Sequence, residues 1–117
     1  MRVKSAIWVM AHVRRCNAEG AMALVARRGQ EDAGAIYVKV NTLDGRAALY
    51  VPAPTGMSLD ASTRCWVRLP AEGDMSDAEA EAYLARQGEF DPDLWVIEIE
   101  DRQGRHFLAE DLVTLDD

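Results

Sequence analysis

Apolar and polar positions alternate with the period of a strand in several stretches of the chain, and recur at helical spacing in two others. Trp95, Ile97 and Ile99 alternate with Val96, Glu98 and Glu100, which predicts a strand with one apolar face and one largely acidic face. Asp101 to Gly104 has the form of a type I turn, with Gly104 where a positive φ is required. Together they predict a hairpin that sets Glu100 opposite His106 and Ile99 opposite Phe107. Its core side would carry Trp95, Ile97, Ile99 and Phe107; its other side would carry Glu98, Glu100, Asp101, Arg105 and His106. A second hairpin is predicted from Ile36, Val38 and Val40, a turn over Thr42 to Gly45, and a return through Arg46 to Val51. Its register sets Val40 opposite Ala48 and Val38 opposite Tyr50. Ala21 to Arg28 is an apolar run without alternation, bounded by Gly20 and Gly29, and predicts a strand buried on both faces. Thr63 to Leu69 adds a strand with Cys65, Val67 and Leu69 on one side and Arg64, Trp66 and Arg68 on the other, ended by Pro70.

Ser5 to Glu19 has helical spacing. Val3, Ala6, Ile7, Met10, Val13 and Asn17 form the stripe expected to face the core, with Ser5 as N-cap and Gly20 as the stop. Trp8, His12 and Arg15 fall on a neighbouring face, outside that stripe. Ser76 with Glu79 is a capping box opening a helix to about Gln87, with Gly88 just beyond it. Pro52 to Ser62 has the composition of a mobile loop, and the acidic residues 111–117 are expected to fray. Short connections between strands favour antiparallel pairing. The prediction is one α+β domain over residues 1–117, with two helices against one face of a five- or six-stranded, mostly antiparallel sheet.

Composition narrows the class. A chain of 117 residues fits one domain, and no run approaches the roughly 20 apolar residues of a membrane span. The apolar run Ala6 to Ala11 is too short for a signal peptide and is closed by His12, Arg14 and Arg15. Two cysteines, Cys16 and Cys65, are too few for a disulfide framework and fit a reducing cytoplasm. The net charge of −7 hides an asymmetry: residues 1–28 hold six basic side chains and one acid. The expectation is that this basic segment is the electrostatic counterpart, within the fold, of the Glu98 and Glu100 face.

Candidate chemistry is sparse. His12, Cys16, Cys65 and His106 are the possible zinc ligands, but only one closely spaced pair exists, so no metal site is expected. Glu98, Glu100 and Asp101 with His106 have the residue types for general acid–base work, as does any solvated strand face. No glycine-rich phosphate loop and no serine nucleophile motif is present, and no cofactor is expected. Arg14, Arg15, Arg27 and Arg28 would suit phosphates if the fold brought the two pairs to one edge, and Arg64, Trp66 and Arg68 interleave an aromatic with basic residues.

Four segments carry a resemblance: KSAIWVMAHVRRC (Lys4 to Cys16), VARRG (Val25 to Gly29), Ala33 to Tyr50, and FDPDLWVIEIEDRQGRHFL (Phe90 to Leu108). In these the chain resembles a family of small alphaproteobacterial proteins known as domain of unknown function 1491. The resemblance implies a bacterial, cytoplasmic, single-domain protein and brings no activity, cofactor or catalytic residue. The first functional reading is therefore binding of a protein partner or of a second copy, without catalysis, through Trp8, His12, Arg14, Arg15, Arg27, Arg28 and Trp66. The alternative is a nucleic-acid-binding module using Arg14, Arg15, Arg27 and Arg28. The third reading is an enzyme using His106 with Glu98, Glu100 or Asp101.

Overall fold

Seven strands form one mixed sheet, with a helix on each of its faces. The structure is a computed structural model that describes residues 2–54 and 63–113. In chain order the elements are α1 (Ser5–Ala18), β1 (Met22–Arg27), β2 (Ile36–Asn41), β3 (Arg46–Pro52), β4 (Trp66–Leu69), β5 (Met75–Ser76), α2 (Asp77–Phe90), β6 (Trp95–Glu100) and β7 (Leu112–Val113). The sheet order is β1-β6-β2-β3-β4-β7, and β5 pairs with β3. Most of the expected loop over Pro52 to Ser62 lies outside the described residues, as do residues 114–117.

The α+β class and the mostly antiparallel sheet are as expected, and the β2–β3 hairpin has the predicted register, Val40 opposite Ala48 and Val38 opposite Tyr50. The helices differ from expectation: they take opposite faces. Val9 and Cys16 of α1 pack with Ala23, Val38, Val40, Ile97 and Ile99. Ala80 and Leu84 of α2 pack with Ala47, Leu49, Leu94 and Val96. Strand β6 shows why both faces need a cover, since Trp95, Val96 and Ile97 are all buried.

The hairpin predicted over Trp95 to Phe107 is half formed. Gly104 donates its backbone N–H to the Asp101 carbonyl at 2.9 Å and adopts φ 73°, so the turn exists. The return arm does not pair with β6, because β6 has no free edge. It runs antiparallel to β1 on one side and parallel to β2 on the other. Residues 105–108 instead fold back over the α1 face, where Leu108 is buried and Phe107 packs against the core. Leu112 and Val113, expected to fray, pair in parallel with Trp66 and Val67 of β4.

Strand β1 also departs from its prediction. It lies at the edge of the sheet, with Met22 and Leu24 exposed on the α2 side. The side-chain amide of Asn17 caps that edge, accepting from the Ala23 N–H at 2.9 Å and donating to the Ala23 carbonyl at 3.1 Å. Such a clamp blocks strand addition at that point. Helix α2 opens with the predicted capping box, Ser76 Oγ accepting from the Glu79 N–H and the Glu79 carboxylate from the Ser76 N–H. It runs through Gly88 to Phe90, so Gly88 is no stop: it is buried, and the Arg27 guanidinium lies against its open face.

Candidate functional site

Helix α1 turns two polar side chains inward among apolar ones. Ser5, Val9, His12 and Cys16, at steps of four, three and four residues, are its buried positions. The stripe expected to be core contributes its Val3, Ile7 and Met10 to the surface, at 50%, 59% and 48% exposure. Each inward polar group is satisfied. Ser5 is no side-chain cap; its hydroxyl donates to the Gly34 carbonyl at 2.7 Å and accepts from Arg64 at 3.1 Å. The first helical N–H groups are met instead by the Asp32 and Glu31 carbonyls. Cys16 behaves as an apolar filler, its thiol pushed up to about 11 by burial. On the outer side, Ala6, Ile7, Met10, Ala11 and Arg14 line a shallow depression of about 340 Å³. No ion pair engages Arg14 or Arg15 among the described residues.

Sequence reasoning put Trp8, His12 and Trp66 at the surface, and the structure brings them together inside. Trp8 stacks on His12 with ring centres 4.6 Å apart and meets Trp66 at 4.7 Å. Trp66 is 1% exposed and donates its indole N–H to the Ile36 carbonyl at 2.8 Å. His12 Nε2 lies 3.0 Å from the His106 carbonyl, so that nitrogen carries the proton and donates. His106 Nδ1 accepts from the Leu108 N–H at 2.9 Å, and the ring packs on Tyr50. Trp66 keeps its predicted side of β4, with Arg68 and opposite Leu69, but that side is buried because α1 and the 105–108 return cover it.

Burial lowers the pKa of both histidines from the ordinary 6.5, with Arg15 and His106 adding to the effect at His12 and Arg68 at His106. Because the folded values are depressed, the unfolded chain binds more protons below pH 6.5. The stability contributed by these neutral rings is complete above that pH and is lost as pH falls towards the folded values. A melting series from about pH 8 to about pH 5.5 is expected to show a falling Tm, with a shallower fall in His106→Asn, which keeps an acceptor for Leu108 but cannot titrate. A Tm that stays flat across that interval would refute this assignment.

The acid–base constellation does not assemble. Glu98 and Glu100 project on the α2 side of β6, whereas His106 packs on the α1 side, and the sheet separates them. Asp101 is 7% exposed and clamped by Arg105, which bonds it through the backbone N–H at 2.8 Å, Nε at 3.0 Å and Nη2 at 2.9 Å. The guanidinium holds that carboxyl below its usual range. The same separation corrects the expected charge pairing: α1 cannot reach Glu98 or Glu100, and Glu98 instead faces Lys39 at 3.6 Å. Among the described residues, no three His, Cys, Asp or Glu side chains are grouped to hold a metal ion.

The arginine pairs are likewise apart. Arg14 and Arg15 lie near the C-terminal end of α1, whereas β1 runs back from there and leaves Arg27 and Arg28 at its far end. Arg27 reaches the Pro92 carbonyl at 3.4 Å, and Arg28 lies 5.4 Å above the Trp95 ring. They form no common phosphate-binding edge.

Comparison with known proteins agrees with this architecture. The model of a family described as protein of unknown function (DUF1491) matches residues 3–109. A crystal structure of a DUF1491 family protein from Caulobacter crescentus is 40% identical, with a TM-score of 0.78 over 97% of this chain and 100% of the other. A solution structure of a protein from A. tumefaciens is 36% identical, with a TM-score of 0.75 over 100% of this chain and 98% of the other. No match is found among curated proteins.

Proposed function

The chain belongs to the DUF1491 family of proteins of unknown function, and from that premise we propose that it acts in the cytoplasm as a binding module, without catalysis, through the outer face of α1. One observation carries this reading: the helix exposes Ile7 and Met10 side by side, with Val3 exposed just ahead of it. A helix that meets only its own core normally keeps large apolar side chains off its outer face. Covering the half-exposed side chains of Ile7 and Met10 would be worth roughly 2 kcal/mol to a complex. The depression beside them ends at Arg14, which supplies a charge for orienting the partner.

The binding surface is thus shifted from the one expected from sequence. Arg14 and Arg15 stay in it; Trp8, His12 and Trp66 act behind it as its support. A nucleic-acid role loses its basis when the two arginine pairs are separated. The test is a photo-cross-linking side chain in place of Met10, compared with one in place of Glu89, in cells. A discrete adduct at position 10, suppressed by Ile7→Asp and missing at position 89, is the expected result. Equal labelling at both positions would reject the reading.

A further inference from the structure

We infer that the partner is a second copy of this chain, docked head to tail. The outer face of α1 in one copy would lie on the uncovered sheet surface formed by Met22, Leu24, Glu98 and Glu100 in the next. This inference rests on the reading that α1 is a binding face and adds the identity of what binds.

The receiving surface lies on the far side of the sheet from α1. Helix α2 contacts β3 and β5, Lys39 of β2 reaches up to it and Arg27 at the far end of β1 lies against its Gly88, which leaves the Met22 to Leu24 end of β1 without a cover. There Met22 is 62% exposed and Leu24 49%. In the antiparallel register Met22 faces Glu100 and Leu24 faces Glu98, so each apolar side chain has a carboxylate beside it on the same face. Among the described residues, no cation forms a salt bridge with Glu100. The free rim of β1 is closed at Ala23 by Asn17, so a partner is directed onto this face and away from the strand edge.

The two surfaces are complementary in kind. One is apolar and basic, with Ile7 and Met10 beside Arg14; the other is apolar and acidic. Because they lie on opposite faces of one sheet, a single chain cannot join them, whereas two copies can. Symmetric pairing is disfavoured in both cases. Antiparallel pairing of α1 with α1 sets Arg14 beside the Lys4–Asp32 pair of the other copy, which offers it no net opposite charge, and pairing of the sheet surfaces sets Glu98 and Glu100 against their own kind. What remains is a heterologous contact, which propagates into a ring or an open chain. A patch this small, with exposed charges, gives association that weakens as salt screens it.

Two charge-reversed variants test the arrangement. Arg14→Glu spoils the basic face and keeps the acidic one; Leu24→Lys with Glu100→Lys spoils the acidic face and keeps the basic one. In light scattering at low salt, the parent chain is expected to gain mass with concentration, and each variant alone to stay at 13.0 kDa. Mixed in equal amounts, the two variants are expected to regain mass, since one intact pair of surfaces remains and the two reversed surfaces are themselves of opposite charge. That recovery also shows that both variants are folded. A parent chain that is monomeric at low salt and millimolar concentration overturns the inference, and so does association indifferent to both sets of reversals. The cross-linker at position 10 separates the two readings: an adduct of twice the chain mass supports both. An adduct of another mass retains the binding module and overturns the head-to-tail contact, and no adduct overturns both.

Discussion

Gly34→Ala is expected to lower the melting temperature by roughly 10 °C, a loss of about 3 kcal/mol for a domain of this size. Gly34 is buried, and a β-carbon there would press into the Asp93 carbonyl oxygen and lie 2.9 Å from the Gln30 carbonyl oxygen. Both obstacles are backbone, and neither is free to move. Gln30 donates its N–H to the Asp93 carbonyl at 2.9 Å, and its own carbonyl accepts from Gly34 at 3.1 Å and from the Trp95 indole at 2.8 Å. The Gly34 carbonyl in turn accepts from Ser5. An added methyl therefore wedges the β1–β2 connection away from the start of both β6 and α1. Gly45→Asn is the control. Gly45 sits at φ 84° with nothing within 4 Å of a β-carbon, and asparagine tolerates that conformation. A Gly34→Ala chain melting with the parent would show that the connection yields where its hydrogen bonds say it should hold.

Lys39→Ala is expected to cost about 3 kcal/mol, read from chemical denaturation at pH 7. The side chain is 2% exposed, and its ammonium lies 2.5 Å from Asp77, 2.6 Å from Glu81 and 3.6 Å from Glu98. Removing it leaves three carboxylates around a gap. The loss falls at the lower end of what a fully buried pair shows, because the Asp77 and Glu81 side chains keep 39% and 58% of their exposure and water can reach them. Lys39→Met keeps the aliphatic stem and loses less. Its deficit relative to the parent is expected to shrink between about pH 7 and about pH 5. Without the cation the three carboxylates repel one another, a cost that falling pH relieves. A deficit that is constant over that range would mean the carboxylates do not sense one another. In the parent chain the ammonium's own pKa is raised: although burial opposes the charge, the bonds to Asp77 and Glu81 outweigh it. Its contribution is complete below 10.5 and disappears only at more alkaline pH.

Local features were the most legible in the sequence. The capping box at Ser76, the β2–β3 register and the turn at Gly104 depend on residues a few positions apart, and the structure has all three. Patterns that needed the neighbouring elements were read with less success. The apolar run of β1 resembled a central strand, yet Met22 and Leu24 face outwards at the edge; the acidic alternation of β6 resembled an exposed strand, yet β6 is central. A strand's own residues do not record who lies beside it, and Glu98 is half-buried beside Lys39, its neighbour on β2. Helix α1 misled for a related reason. Its apolar positions suggested a stripe facing the core, yet Ile7 and Met10 lie at the surface. The polar residues that occupy its inner stripe are matched by Gly34, Arg64 and His106, all distant in sequence.

The central seat of β6 also sets the order in which the chain can fold. Strands β1 and β2 are close in sequence but do not touch as sheet neighbours; β6 lies between them and is made about sixty residues after β2 begins. During synthesis α1 and β1 must wait, uncovered, until Trp95 to Glu100 have left the ribosome. Long loops then close before the rewarding contacts form, the circumstance that makes folding of such topologies slow. Over that interval the apolar sides of β1 and β2 are exposed together, and the Asn17 amide, already adjacent in sequence to Ala23, is positioned to guard the outer rim of β1 while its inner rim awaits β6.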